Sequence, residues 1–481
     1  MGQKCGFLVG VLRRATGLAG IAVAVSLSAC VELGEPEPIA ATSVNHGVET
    51  RTQRLARLTD KDPGSNPSFG AAVADEPAAA LVARQVLEQG GNAADAATAL
   101  YFALSVTWPA AAGLGGGGIC LARNADERTV ESIAFLARSP QSGGALAVPG
   151  NVRGFALLQS RYGKRPWASV VGPAERMAAT GFPVSRAAAG QFADAAALIA
   201  TAPALQAHFS GEGGALPREL DRVTRGDLAT TLAAIRNQGV NGFYAGTTAR
   251  RLVDEATRAG GALSLADLRD YRPEVAPAQL LSMTAANVAV PAEALGAGLF
   301  AGALWRSIEK AGAAELAELA RRTAASLGAT DAPGRDHGST AFAAIDGRGG
   351  AVACAVTMNG AFGTGHVAEG TGIVFSPNPQ QAASGIASAY LMPVIVTSAN
   401  GSRVFFSGAG AGAPKGAAAI QHAARAALAG PDAVTSALAA SPADARSPAH
   451  AIACPDGQPT GACVLATGPR GDGMGVTALG F

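Results

Sequence analysis

The sequence predicts a mixed α+β fold for a long globular chain, and three observations support this prediction. Hydrophobic residues make up 48% of the 481 residues, which is ordinary for a globular protein and sufficient for a large buried core. Residues 151–330 show mainly helical patterns that are broken by proline and glycine. From residue 339 the pattern changes to short apolar runs between glycine-rich turns, which indicates strands.

The composition argues against several kinds of partner. The chain has 37 basic and 36 acidic residues, a net charge of +1 and no basic stripe, so a nucleic-acid partner is not expected. Its six histidines are scattered, and no cysteine–histidine group has zinc-site spacing. We therefore expect neither a metal nor a cofactor.

Residues 1–29 are predicted to be a bacterial lipoprotein signal peptide. Arg13 and Arg14 precede an apolar stretch at 18–27, and the segment Leu27-Ser28-Ala29-Cys30 resembles a lipobox. Lipidation of Cys30 would tether the exported protein to the periplasmic face of a membrane, with the outer membrane favoured. The alternative is an ordinary secretory signal in which the cysteine is coincidental.

Export would permit disulfide bonds, because the periplasm is oxidising. Cys454 and Cys463 flank a loop rich in turn residues, and we expect them to be bridged. Cys120 and Cys354 lie in apolar, strand-like runs and are expected to be buried free thiols. Residues 30–67 are rich in proline and polar residues and are predicted to be a tether.

The globular part is predicted to start with two helices. The first fits Pro77 to Gln89 and stops at Gly90-Gly91, and Asn92 can cap a second helix that runs to about Val106. The four glycines at 115–118 are not a phosphate-binding loop, because no Gly-Lys-Ser/Thr follows them.

A hairpin is predicted after residue 339. Strands at 340–346 and 351–358 flank a Gly-Arg-Gly-Gly turn. If Ile345 pairs with Ala351, Ser339 lies opposite Thr357, although a shift of one residue would reverse the faces.

Two hydroxyls and one amide would then meet at one end of this hairpin. They belong to Ser339, Thr357 and Asn359. Spacing alone leaves two readings open, a polar strand end in solvent or a reactive site.

The chain resembles the gamma-glutamyltransferase (gamma-glutamyltranspeptidase) family. The resemblance spans about residues 68–420, in the family's order. Its segments are Gly90–Ala97, Gly113–Gly118, Val148–Gly154, Tyr162–Trp167, Gly181–Val184, Gly242–Gly246, Leu265–Pro273 and the hairpin with its glycine-rich loop.

This resemblance implies an N-terminal-nucleophile (Ntn) hydrolase, a four-layer αββα sandwich that cleaves itself. The implied cut between Gly338 and Ser339 separates a large-subunit region, 68–338, from a small-subunit region, 339–481. Ser339 would then be the nucleophile, with its own α-amino group as base, and Thr357 and Asn359 would support it. Thr340 is the competing candidate, but the position of the Thr-x-Asn pattern favours Ser339.

The resemblance also implies a substrate pocket with altered charges. Leu136 stands where the family has an arginine for the substrate α-carboxylate, and Arg138 is the candidate replacement. The family's Ser-Ser pair corresponds to Ala389-Tyr390, so Tyr390 is a candidate contact. The family's acidic segment corresponds to 377–381, where Asn378 and Gln381 are candidates. Ala411 and Gly412 stand at the positions of the oxyanion-hole glycines.

The function implied is that of an exported, self-cleaving amidohydrolase or acyltransferase. Its partners would be a small amide or peptide substrate and the two chains of one precursor. A gamma-glutamyl or related amide is the expected substrate. The alternative is a family scaffold that has lost catalysis and acts as a membrane-tethered binding protein.

Overall fold

A computed structural model describes residues 69–479 except for 212–213, 285, 328–337, 381–389, 444–446, 459–462 and 469–472. The predicted signal peptide and tether, the lipidation site Cys30 and the candidate Gln381 lie outside the described residues. The described residues belong to one compact unit.

In the described part of the chain, the strands form two large sheets and two small two-stranded sheets. In chain order the strands are β1 (Phe69–Ala74), β2 (Gly117–Arg123), β3 (Val130–Phe135), β4 (Phe182–Pro183), β5 (Arg222–Val223), β6 (Glu274–Pro277), β7 (Gln279–Met283), β8 (Ala286–Val290), β9 (Ser339–Asp346), β10 (Ala351–Thr357), β11 (Val367–Ala368), β12 (Ile373–Val374), β13 (Met392–Ser398), β14 (Val404–Gly410), β15 (Ala449–Gln458), β16 (Val464–Ala466) and β17 (Met474–Leu479). The two small sheets are β4-β5 and β11-β12.

The α-helices form the outer layers. In chain order they are α1 (Pro77–Glu88), α2 (Ala93–Thr107), α3 (Pro109–Ala112), α4 (Asn151–Tyr162), α5 (Trp167–Thr180), α6 (Arg186–Asp194), α7 (Ala196–Thr201), α8 (Pro203–Phe209), α9 (Gly226–Gln238), α10 (Asn241–Tyr244), α11 (Gly246–Arg258), α12 (Leu265–Asp270), α13 (Gly298–Ser307), α14 (Leu316–Ser326), α15 (Pro414–Ala426) and α16 (Pro431–Ala439). Within the described ranges, none of them is long and apolar enough to cross a bilayer.

Two sheets stack face to face between these helices. One sheet has the strand order β17-β1-β9-β10-β2-β3-β6 and the other has the order β16-β15-β14-β13-β8-β7. Their inner faces share an apolar core, in which Ala343 and Ile345 of the first sheet pack with Ile395 and Ile452 of the second. This is the four-layer αββα sandwich that the resemblance implied.

The central strands of the first sheet, β9, β10 and β2, are buried on both faces. Along β9, Ala343 and Ile345 point to the other sheet, whereas Phe342 and Ala344 pack against the helical layer that includes α2 and α4. A strand that is covered on both sides needs a continuous apolar run rather than an alternating one. The sequence from Ala341 to Ile345 meets this requirement.

Both predicted subunit regions contribute strands to both sheets. The first sheet takes β1, β2, β3 and β6 from the region before residue 338, and β9, β10 and β17 from the region after it. The second sheet takes β7 and β8 from the first region and the rest from the second. The predicted boundary therefore does not separate two independent domains.

The hairpin has the predicted register. Ile345 pairs with Ala351, and Ser339 pairs with Thr357. The first two helices also agree with the sequence, and Asn92 caps α2 in a capping box with Asp95.

The mainly helical prediction for residues 151–330 is wrong in part. Glu274–Pro277 is the edge strand of the first sheet, and Gln279–Met283 with Ala286–Val290 forms the outer pair of the second. These runs of four or five residues are too short to show a strand period within a helix-rich stretch.

The prediction of free thiols at Cys120 and Cys354 is wrong, because these residues form a disulfide bond. They occupy directly opposed positions on the antiparallel neighbours β2 and β10. Only this pairing, across 234 positions, brings them together. The expected bridge between Cys454 and Cys463 is present.

Candidate active site

The hydroxyls of Ser339 and Thr357 form the centre of the site. Ser339 Oγ donates a hydrogen bond of 2.8 Å to Thr357 Oγ1. The Thr357 hydroxyl is oriented to donate in turn to the Gly338 carbonyl oxygen, at 3.4 Å. Both side chains are buried, so the nucleophile candidate is held in one orientation.

The Gly338 carbonyl is held from a second side. The backbone N–H of Met358 donates to it at 2.9 Å. Gly338 has φ +54°, and a Cβ at this position would lie 2.2 Å from the carbonyl oxygen of Gly360. Only glycine can therefore precede Ser339 in this conformation.

Asn359 lies beside the hydroxyl pair. Its backbone N–H donates to Thr357 Oγ1 at 2.9 Å, and its φ is +55°. The side-chain oxygen, Oδ1, is buried and has no hydrogen-bond partner among the described residues. This oxygen is available to accept a hydrogen bond from a substrate or from an amino group.

A pocket of about 500 Å³ opens at these residues. Its walls are formed by the end of β3 with residues 136–139, by the start of β6, and by residues 294–296 before α13. The end of β10 with Asn359 and residues 379–380 complete the lining. The lining residues are Ala134, Leu136, Ala137, Arg138, Ser139, Glu274, Ala294, Leu295, Gly296, Thr357, Asn359, Pro379 and Gln380.

The pocket carries one pair of opposite charges. Arg138 forms an ion pair with Glu274, and their side chains are 40% and 53% exposed. The Arg138 guanidinium also lies 5.0 Å from the centre of the Tyr271 ring. Burial raises the pKa of Tyr271 well above its usual value, so its protonated hydroxyl donates to the Leu136 carbonyl at 2.8 Å. Tyr271 thereby fixes the backbone of the pocket wall.

Asp75 and His450 lie beside the site, and no sequence motif indicated either residue. The carboxylate of Asp75 accepts a hydrogen bond from the Thr340 hydroxyl, and its other oxygen lies 2.7 Å from Nε2 of His450. Because the Thr340 hydroxyl is committed to Asp75, Ser339 remains the candidate that faces Thr357. Elsewhere in the described part of the chain, no group of three or more histidine, cysteine or acidic residues is arranged to hold a metal ion.

About half of the chain resembles known proteins in sequence. The sequence model of the gamma-glutamyltranspeptidase family matches residues 79–304. The chain is 30% identical over 280 residues to the glutathione hydrolase proenzyme of Escherichia coli, covering 53% of this chain and 46% of that protein. It is 32% identical over 248 residues to the acylase ACY 1 proenzyme of a Pseudomonas species, covering 46% of this chain and 44% of that protein.

Over residues 79–304, the chain is similar to the gamma-glutamyltranspeptidase family. It spans less than half the length of these two curated relatives. Among solved structures, the cephalosporin acylase of Bacillus halodurans has a TM-score of 0.68, with 20% identity over 85% of this chain and 96% of that chain. This likeness supports the fold.

The structure does not bring two of the predicted gamma-glutamyl contacts to the pocket. Asn378 is buried, and its amide donates to the Gly144 carbonyl while its oxygen accepts from Ser139 and from the backbone of Gln380. It therefore positions the pocket wall. Tyr390 packs 5.2 Å from the ring of Phe300, in the core between the second sheet and its outer helices.

The prediction of an oxyanion hole at Ala411 and Gly412 also needs a correction. Ala411 does lie near the pocket, in an apolar cluster with Leu295 and Leu136. Its backbone N–H, however, donates to the Pro448 carbonyl at 3.0 Å, so it is not free to bind a developing oxyanion. Gly412, with φ +89°, remains the candidate donor.

Proposed function

We propose that the protein is a self-cleaving amidohydrolase or acyltransferase in which Ser339 is the nucleophile. The observation that carries this proposal is the chain of contacts from the Ser339 hydroxyl through Thr357 to the Gly338 carbonyl. The similar proteins include a glutathione hydrolase proenzyme and an acylase proenzyme, which supports amide chemistry after precursor processing.

Self-cleavage would proceed by attack of Ser339 Oγ on the Gly338 carbonyl carbon. The Gly338–Ser339 peptide bond breaks, its nitrogen takes the hydroxyl proton, and an ester forms between the two residues. Water then hydrolyses the ester, leaving a Gly338 carboxylate and a free Ser339 α-amino group. The Met358 N–H and the Thr357 hydroxyl are placed to stabilise the negative charge on the carbonyl oxygen.

The freed amino group would serve as the base for the second reaction. An α-amino group has a pKa of about 7.7–8.0, so part of it is neutral at pH 7. It would accept the proton of Ser339 Oγ as the oxygen attacks the substrate amide, and would pass that proton to the leaving amine. The resulting acyl-enzyme is resolved by water or by an acceptor amine.

The lining of the pocket favours a substrate whose acyl group has no zwitterionic head. Leu136 provides an apolar wall where an arginine would be needed, and Arg138 is already neutralised by Glu274. A gamma-glutamyl group would have to displace this ion pair to obtain its charge partners. The rival function, a non-catalytic scaffold, gives no reason for the intact Ser339–Thr357–Gly338 geometry.

Trapping the acyl-enzyme tests the proposal. Purified protein is mixed with a p-nitrophenyl ester of a simple acyl group and quenched in acid, and the peptides are analysed by mass. We expect the acyl mass on a peptide that contains Ser339, with Ser436→Ala as a matched control that still acylates. Turnover without acyl mass on this residue, or equal labelling of Ser339→Ala, would refute it.

We further propose that the protein is exported and lipid-anchored through Cys30. The sequence pattern of residues 1–30 and the two disulfide bonds support this. Detergent phase partitioning of the expressed precursor and of Cys30→Ser tests it. We expect the parent in the detergent phase and the variant in the aqueous phase, and equal partitioning would refute the anchor.

A further inference from the structure

A small cavity lies at the junction of α8, α9 and the end of α2. About 10 Å³ is open to the centre of a water-sized sphere, which is room for one water molecule or one monatomic ion. Its polar lining comes from Ser105, His208 and Arg225, and the rest includes Phe209, Leu228 and Gly372. None of these residues belongs to the pocket at Thr357.

Arg225 brings a buried positive charge to this cavity. It is 4% exposed, and its Nε atom is buried without a hydrogen-bond partner among the described residues. Burial lowers its pKa to about 9, so it remains charged at neutral pH. The guanidinium lies 4.5 Å from the centre of the Phe209 ring, a cation–π contact that offsets only part of the cost of removing the ion from water.

His208 adds a second polar group without a partner. Its Nε2 atom is buried and makes no hydrogen bond within the described residues. Burial, together with the charge of Arg225, lowers the pKa of His208 to about 4. The neutral ring can donate one N–H, so it does not supply the missing negative charge.

The N-terminus of α9 also favours an anion in this cavity. This helix runs over Gly226–Gln238, begins directly after Arg225 and has no side-chain cap. The first N–H groups of such a helix lack intrahelical partners and form its positive end. Leu228, in this first turn, lines the cavity. Three kinds of donor therefore surround the cavity. Asp227, in the first turn of α9, acts electrostatically on His208, but it is not among the residues that line the cavity.

We propose that this cavity binds one chloride ion, held by the guanidinium of Arg225, a ring N–H of His208 and the N-terminus of α9. The donors select an anion over a cation. The size of the cavity selects a monatomic ion over phosphate or sulfate. The site is independent of the proposed catalytic function.

The position of the cavity links a bound ion to the glycine-rich loop. Phe209, which stacks on Arg225, lies 4.9 Å from the ring of Phe362 in the glycine-rich loop. Phe362 and Met358 belong to the same apolar cluster as Phe209. Met358 precedes Asn359, so an ion that fixes Arg225 and Phe209 supports the loop that carries part of the active site.

Thermal unfolding of the full-length protein at constant ionic strength tests the proposal, with gluconate replaced stepwise by chloride. We expect the Tm to rise by about 2 °C and to saturate below 200 mM chloride. Arg225→Gln should abolish the rise, whereas Arg321→Gln, on the exposed face of α14, should retain it. Coinciding curves in chloride and gluconate, or an unchanged rise in Arg225→Gln, would overturn the proposal.

A second measurement covers the case in which Arg225→Gln does not fold. Crystals of the parent protein are soaked in bromide and measured at the bromine absorption edge. An anomalous peak between Arg225 and His208 is the expected result. Bromide peaks elsewhere with none in this cavity would overturn the proposal.

Discussion

Nε2 of His450 lies 2.7 Å from the carboxylate of Asp75, although the two residues are 375 positions apart in the chain. The same carboxylate accepts a hydrogen bond from Thr340, the residue directly after the nucleophile candidate. Asp75 follows β1 of the first sheet, and His450 belongs to β15 of the second. This contact therefore fixes the start of β9 to both sheets.

Removing the carboxylate should destabilise the protein. In Asp75→Ala, the Thr340 hydroxyl and the His450 ring remain buried without their acceptor, and each orphaned group costs about 1–3 kcal/mol. Urea unfolding should show this loss, and Thr340→Val should lose less because only one bond disappears. An Asp75→Ala protein as stable as the parent would show that the contact does not hold β9.

Gly338→Ala should block self-cleavage. The new Cβ would lie 2.2 Å from the Gly360 carbonyl oxygen, so the backbone on the carbonyl side of the scissile bond must move. Gly190→Ala is the matched control, because a Cβ in that helix meets nothing within 4 Å. Reducing electrophoresis should show an uncut Gly338→Ala chain and a normally cut control. Normal cleavage of Gly338→Ala would contradict the geometry at the cut.

The pocket should discriminate against gamma-glutamyl substrates. Each missing charge-assisted hydrogen bond is worth about 1.5–3 kcal/mol, so two of them remove two to four orders of magnitude from kcat/KM. A gamma-glutamyl anilide should therefore react more slowly than an acyl anilide without the charged head. Leu136→Arg should shift the ratio towards the gamma-glutamyl compound. A parent kcat/KM near 10⁴ M⁻¹s⁻¹ or above for that compound would contradict the account.

His208 should make the stability depend on pH. Burial and the charge of Arg225 lower its pKa from 6.5 to about 4, and Asp227 opposes this shift. Between pH 6.5 and pH 4 the unfolded chain binds a proton that the folded chain does not. Stability should therefore fall as the pH falls through this window, by up to about 3 kcal/mol. The slope should disappear in His208→Gln in chloride-free buffer, and an unchanged slope in the variant would assign it to other groups.

Local patterns explain what the sequence predicted correctly. The turn at 347–350 joins two strands that are adjacent in the chain, so it determines the register that places Ser339 opposite Thr357. The cap at Asn92 is likewise a signal within four residues. The family resemblance added the sandwich, which periodicity alone could not give.

Long-range packing explains what the sequence did not reveal. The bond between Cys120 and Cys354 depends on the pairing of β2 with β10, and the Asp75–His450 contact depends on how the two sheets stack. The sequence did not indicate Glu274 as a pocket residue, because its strand is only four residues long and its partner Arg138 is distant in the sequence. The residues next to Asn378 and Tyr390 in the sequence do not indicate the long-range contacts that these two side chains make with Ser139, Gly144 and Phe300.

The disulfide between β2 and β10 changes how cleavage must be detected. Cys120 lies in the predicted large-subunit region and Cys354 in the predicted small one. After a cut between Gly338 and Ser339, this bond would still join the two chains. Electrophoresis without a reductant should therefore show one band even for fully cleaved protein.

The most direct test of the account is electrophoresis of periplasmically produced protein with and without reductant, followed by N-terminal sequencing of any small fragment. We predict one band without reductant and two bands with it. The smaller band should be a chain of 143 residues (339 to 481 inclusive) that starts at Ser339. Ser339→Ala should give a single band under both conditions. A parent protein that stays uncut after reduction, or a fragment that starts at another residue, would contradict the assignment of Ser339.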